Sequence, residues 1–153
     1  MTKILVVDDE QGVLDLLVDN LSGDGYDVIT ATNGASALVL IYRERPDVVL
    51  LDLMIPVVNG YEVLRELRRN PTTKKLPVIL LTAVSPAEGE QAAIQLGANH
   101  YMTKPWKVGS ILQVVRDALG EAGSSAWARP SALQIHNVDE NHVNQAPPAW
   151  LPT

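Results

Sequence analysis

Short apolar runs that end in aspartate constrain this chain more than any other feature. Ile4-Leu5-Val6-Val7 runs into Asp8-Asp9, and Val48-Val49-Leu50-Leu51 runs into Asp52. Both runs are apolar throughout and rich in β-branched residues, which suits strands buried on both faces of a parallel sheet. In such a sheet the ligand crevice lies outside the carboxyl ends of the strands. Two neighbouring central strands of this kind bring all three carboxylates to one rim. Gathered carboxylates repel one another unless a hard cation sits among them, and Mg²⁺ is satisfied by one or two carboxylates with phosphate and water. The expectation is a site for Mg²⁺ and a phosphoryl group.

The rest of the chain alternates in the same way. Strand patterns fall at about 3–7, 27–31, 47–51, 77–81 and 99–102, and helical patterns at about 10–22, 34–44, 60–69, 86–96 and 107–119. Breakers stand between them. Gly23-Asp24-Gly25 stops the first helix, Asn33-Gly34 starts the second, Pro46 follows its end, Asn70-Pro71 closes the third and Gly97-Ala98-Asn99 the fourth. In the last helix Ile111, Leu112, Val115 and Leu119 form an apolar stripe. Strands and helices at this spacing imply βα units with helices on both faces of a parallel sheet. Five units fit the flavodoxin-like doubly wound (βα)5 fold, a five-stranded parallel sheet in the order 2-1-3-4-5. Strands 1 and 3 are then neighbours, as convergence of the acids requires.

Past Gly120 the character changes. Residues 121–153 carry Gly-Ser-Ser, Ala-Pro-Pro and several asparagines, and read as a flexible or loosely docked tail with no output domain. Within it Ala132–Val138 can form a short strand, and Trp127 and Trp150 can dock on the domain of residues 1–120.

Bulk composition removes several function classes. The net charge is -6 with no basic stripe, which argues against direct nucleic-acid binding. There is no cysteine, so disulfides, thiol catalysis and cysteine-ligated zinc are excluded. The first apolar run lasts four residues before meeting Asp8-Asp9-Glu10, unlike a signal peptide, and no stretch reaches the ~20 apolar residues of a membrane span. A cytoplasmic location is the expectation.

Asp52 is the candidate nucleophile, because a carboxylate can attack phosphorus to give an acyl phosphate. The anionic phosphoryl oxygens then need neutralisation. Asp8 and Asp9 would hold Mg²⁺, directly or through water, and the backbone carbonyl of Met54 is placed to complete the shell. Taken singly, Asp9 reads equally well as a helix N-cap. Thr82 closes the fourth strand and Lys104 follows the fifth, so a hydroxyl and an ammonium at those ends can each bond a phosphoryl oxygen. Alone, each is an ordinary strand-end threonine or solvated lysine.

Together Asp8-Asp9, Asp52, Thr82-Ala83 and Lys104-Pro105 resemble the site of the response-regulator receiver domain of two-component signalling. Asp52-Leu53-Met54-Ile55-Pro56-Val57-Val58-Asn59-Gly60 is similar to that family's loop after the phosphoacceptor, and Gly97–Trp106 to its last strand and loop. The resemblance spans about residues 1–120. It implies that Asp52 accepts phosphate from a histidine kinase or a histidine phosphotransfer protein. It implies that Asp8, Asp9, Asp52 and the Met54 carbonyl hold Mg²⁺, and that Thr82 and Tyr101 are a switch pair. It further implies a cis Lys104-Pro105 bond. The expected product is a stand-alone phosphoacceptor switch, not an enzyme of turnover, acting as a monomer or a phosphorylation-dependent dimer. Its downstream protein target would dock around Ala87–Leu96, Tyr101 and Val108–Val115, the face of helix 4, strand 5 and helix 5.

Ile55, Asn59, Asn99 and Trp106 depart from the residues usual in the family. The two asparagines read as turn residues. Met54 and Val84, two residues past Asp52 and Thr82, are apolar and cannot orient a hydrolytic water by hydrogen bonding, so self-dephosphorylation should be slow. Two alternatives stay open. The chain can be the receiver part of a larger hybrid kinase or transcriptional regulator. It can also be an Asp-nucleophile phosphohydrolase, although the position where such enzymes carry a second aspartate is Met54.

Overall fold

The computed structural model describes residues 1–122 and 134–136. Five βα units follow one another: β1 (Lys3–Val7), α1 (Gln11–Gly23), β2 (Asp27–Ala31), α2 (Gly34–Glu44), β3 (Val48–Leu51), α3 (Gly60–Arg69), β4 (Val78–Thr82), α4 (Pro86–Leu96), β5 (His100–Thr103) and α5 (Val108–Ala122). All strands are parallel, and the first five stand in the order 2-1-3-4-5. The doubly wound expectation holds, and element bounds match it within a few residues.

The sheet differs from the expectation in one respect. A sixth strand, β6 (Gln134–His136), pairs parallel with β5, setting Tyr101 opposite Ile135. It lies inside the stretch 132–138 that reads as a short strand. β5 is therefore not the sheet edge along these residues. The remaining tail positions, with Trp127 and Trp150, lie outside the described residues.

Strict alternation along the central strands splits the core in two. Ile4, Val6, Val48, Leu50, Ile79 and Met102 face α1 and α5, where Leu14, Leu17, Ile111 and Val115 meet them. Leu5, Val7, Val49, Leu51, Leu80 and Tyr101 face α2, α3 and α4. This is why the runs read as continuously apolar: neither face reaches water.

Local chemistry sets the helix ends. Asn33 caps α2 by accepting the Ser36 N–H at 2.9 Å. Asn59 caps α3 by accepting the Glu62 N–H at 3.0 Å, while its amide donates back to the Glu62 carboxylate at 3.2 Å. Asn99 does more than turn the chain. Its Oδ1 accepts the Val78 N–H at 2.8 Å and Arg68 Nη2 at 3.1 Å. Arg68 also donates to the carbonyls of Gly97 and Thr73, and burial pulls its guanidinium down to about 10. Arg68 and Asn99 together thus tie α3 to the end of α4 and the start of β4.

Candidate functional site

Register places the site. Val7 pairs with Leu51, so Asp8 and Asp52 leave adjacent strands at the same level. Thr82 pairs with Thr103, so Lys104 emerges beside them. Backbone hydrogen bonds fix all three exits: Asp8 N–H donates to Ala31 O at 3.1 Å, Asp52 N–H to Val7 O at 3.0 Å, and Lys104 N–H to Thr82 O at 2.8 Å. The Lys104-Pro105 bond is cis, as the resemblance implied.

The side chains then converge. Lys104 Nζ donates to Asp8 Oδ2 at 2.6 Å and to Asp52 Oδ2 at 2.9 Å. Asp8 and Asp52 are 2% and 6% exposed, so this ammonium compensates two buried charges at once. Burial lifts the Asp8 carboxyl above its ordinary range, although the Lys104 hydrogen bond and the Glu10 amide pull the other way. Burial alone would lower the Lys104 ammonium, but its hydrogen bonds to Asp8 and Asp52 outweigh that and hold it above its ordinary value.

Asp9 does not cap α1. Glu10 occupies the N-cap position, and its N–H is taken by Asp8 Oδ1 at 2.9 Å. Asp9 is left exposed at the rim, where carboxylate oxygens of Asp8, Asp9 and Glu10 lie within 4.8 Å of one another. Glu10 was not singled out from the sequence, though the run Asp8-Asp9-Glu10 was its signal. Hard oxygen donors in excess of one ammonium fit a divalent cation: Asp8, Asp9 and Asp52 carry three charges against Lys104. Met54 donates its N–H to Asp52 Oδ1 at 3.1 Å, and its side chain is exposed.

The loop carrying Met54 is tightly pinned. Gly60 N–H donates to Leu53 O at 2.9 Å, and a Cβ on Gly60 would overlap the Asp52 carbonyl oxygen. A Cβ on Gly34 would overlap the Val58 carbonyl. Val57, exposed in the same loop, sits at φ 70°, a conformation costly for a β-branched residue.

Thr82 and Tyr101 are both fully buried. Thr82 Oγ1 accepts the Val84 N–H at 3.3 Å. Tyr101 donates to Val84 O at 2.7 Å, with Ser85 O at 3.3 Å. Burial pushes its phenol well above the ordinary tyrosine range, which keeps it a neutral donor.

Among the described residues no helix is long and apolar enough to cross a membrane.

Known proteins share this fold. The chain is similar to a protein of Chloroflexus aurantiacus J-10-fl assigned as a response regulator, with 34% identity, TM-score 0.74, and coverage of 78% of this chain and 98% of that one. It is similar to the chemotaxis protein CheY4 of Vibrio cholerae, with 30% identity, TM-score 0.72, and coverage of 76% and 98%. It is also similar to the receiver domain of the sensor histidine kinase PA1611 of Pseudomonas aeruginosa PAO1, with 29% identity, TM-score 0.72, and coverage of 78% and 98%. That structure holds a magnesium ion coordinated in its active-site cleft. The sequence profile of the response regulator receiver domain matches residues 4–116, and the chain belongs to that family.

Proposed function

We propose that Asp52 accepts a phosphoryl group from a histidine kinase or a histidine phosphotransfer protein, and that the chain signals by docking to a protein target. The observation that carries this reading is the Lys104 ammonium held on both Asp8 and Asp52 at 2.6 and 2.9 Å. It stands beside the attacking oxygen, where the negative charge of an incoming phosphoryl group develops. An Asp52 carboxylate oxygen attacks phosphorus, the phosphorus–nitrogen bond of the phosphohistidine breaks, and the imidazole leaves with its electron pair and takes up a proton. The product is an acyl phosphate.

Asp8, Asp9 and Asp52 would hold Mg²⁺, with the Met54 carbonyl completing the set. Bound there, the ion supplies charge neutralisation for the phosphoryl oxygens. Lys104 binds one phosphoryl oxygen and Thr82 another. In leaving Val84 for the phosphoryl group, the Thr82 hydroxyl frees the N–H of the residue whose carbonyl Tyr101 holds, which couples the site to β5. The chain acts as a switch and not as an enzyme of turnover. Residues 1–120 form the receiver domain. The docking face is that of α4, β5 and α5, and the protein works in the cytoplasm as a monomer or a phosphorylation-dependent dimer.

The test is intact-mass spectrometry after incubation with acetyl phosphate, with and without Mg²⁺, beside Asp52→Asn. One phosphate gained only with Mg²⁺, and absent from the variant, is the expected result. Phosphate retained by Asp52→Asn would reject Asp52 as the acceptor. A second reading, the receiver part of a larger kinase, is favoured by the likeness to receiver domains of histidine kinases from Pseudomonas aeruginosa and Syntrophus aciditrophicus.

A further inference from the structure

We propose that Gly89, in the first half of α4, is the positioning residue that seats the Tyr101 ring beneath that helix. The inference rests on the switch reading of Tyr101 and deepens it.

Gly89 is not explained by its backbone. Its φ is not positive, so any residue could adopt its helical conformation. A glycine inside a helix is unfavourable by about 1 kcal/mol relative to alanine. Space explains it. A Cβ built on Gly89 would overlap the Tyr101 hydroxyl and lie 3.0 Å from Cζ and 3.1 Å from Cε2. Those atoms belong to a rigid ring, and the ring cannot yield by changing a distal torsion.

The slot lies where the ring is coupled to the site. Tyr101 Oη donates to Val84 O at 2.7 Å, and α4 begins two residues later. Gly89 N–H donates to Ser85 O at 2.9 Å, the other carbonyl near the phenol. The hydroxyl is therefore enclosed by the loop that follows Thr82 on one side and by the bare Cα of Gly89 on the other. A methyl group at position 89 leaves two options: the ring leaves its place, or α4 lifts from β5. Either outcome breaks the bond to Val84.

The experiment is NMR of the full chain with ¹³C-labelled tyrosine rings and a soluble paramagnetic relaxation agent. The four tyrosines are separable by substitution, and Tyr101→Phe assigns the Tyr101 signal. In the parent protein that signal should be protected from the agent. In Gly89→Ala its relaxation enhancement should rise several-fold, toward that of Tyr42, which is 40% exposed. A folded Gly89→Ala protein with Tyr101 as protected as in the parent would overturn the proposal.

A second variant covers the case in which Gly89→Ala does not fold. Gly89→Ala combined with Tyr101→Phe removes the overlapping hydroxyl. It should fold and recover most of the stability of Tyr101→Phe alone, since the remaining ring contacts at 3.0 and 3.1 Å need only a small shift. Failure of this double variant to recover the fold would equally reject the slot. The phosphoacceptor reading is tested separately, since loss of Asp52 phosphorylation in the parent protein leaves the ring measurement intact.

Discussion

The hydroxyls of Thr82 and Tyr101 hold the same residue from its two ends. Thr82 Oγ1 accepts the Val84 N–H at 3.3 Å, and Tyr101 donates to the Val84 carbonyl at 2.7 Å. A phosphoryl group that draws the threonine away alters the segment whose carbonyl anchors the tyrosine. The coupling needs no contact between the two side chains, only a short peptide segment with a bond at each end.

Thr82→Ala tests that segment. It leaves the buried Val84 amide without its acceptor, at a cost of about 1–2 kcal/mol in chemical denaturation. It also removes one donor to the phosphoryl oxygens, slowing phosphorylation by acetyl phosphate on the order of 100-fold. Thr82→Ser keeps the hydroxyl and should recover most of both. If Thr82→Ala leaves stability and the Tyr101 ring signal unchanged, the two ends of Val84 are not coupled.

The acid cluster sets a pH dependence. Burial raises the folded-state Asp8 carboxyl above its ordinary value. Its contribution to stability is therefore fully present below the ordinary carboxylate pKa, and is lost as pH rises through the folded value. Once deprotonated, this poorly solvated group is a cost to the metal-free protein. Asp8→Asn should raise metal-free stability above the carboxylate range, with the gain shrinking as pH falls into that range. Mg²⁺ should raise the melting temperature of the parent protein and not of the variant. Thermal melts across pH, with and without Mg²⁺, check both signs. A variant less stable than the parent at pH 7 would show that the Lys104 bond to Asp8 outweighs its burial.

Most of this architecture was legible because its signals are local. Three apolar runs, Ile4–Val7, Val48–Leu51 and Val78–Leu81, marked the central strands, and strands buried on both faces leave little ambiguity. Asp8, Asp52, Thr82 and Lys104 were readable because each closes a strand or directly follows one. What escaped depends on contacts distant in sequence. Arg68 and Asn99 meet across 31 residues, and neither stands in a motif. Gly89 looks like a weak helix residue until Tyr101 is seen against it. Val57 at φ 70° carries no sequence mark, since β-branched residues seldom sit there. β6 was readable as a possible strand, but its partner was not: three residues carry no record of which edge they join.

The lifetime of the phosphorylated form follows from Met54 and Val84. Met54 is 58% exposed beside Asp52, while Val84 is buried and spends its N–H and carbonyl on Thr82 and Tyr101. Neither side chain can orient a water for attack on the acyl phosphate. The phosphorylated protein should therefore persist for minutes to hours at neutral pH, and Met54→Asn should shorten that lifetime. Decay is read by intact mass after removal of the phosphodonor. A lifetime of seconds in the parent protein would contradict this account of its hydrolysis.

The sixth strand makes the last prediction. β6 pairs with β5 along His100–Met102, the strand that carries Tyr101, and so covers an edge on the proposed docking face. An uncovered strand presents unpaired N–H and C=O groups that invite pairing with other chains. Truncation after Ala122 keeps α5 whole and removes β6. The truncated protein should keep its melting temperature within a few degrees, because among the described residues both cores lie within residues 4–118. Amide exchange in a peptide spanning 100–103 should accelerate, and self-association should increase with concentration. Hydrogen exchange with mass readout and sedimentation velocity measure the two effects. Unchanged exchange across 100–103 would mean that the pairing does not protect β5, and that a partner approaching this face meets no competing strand.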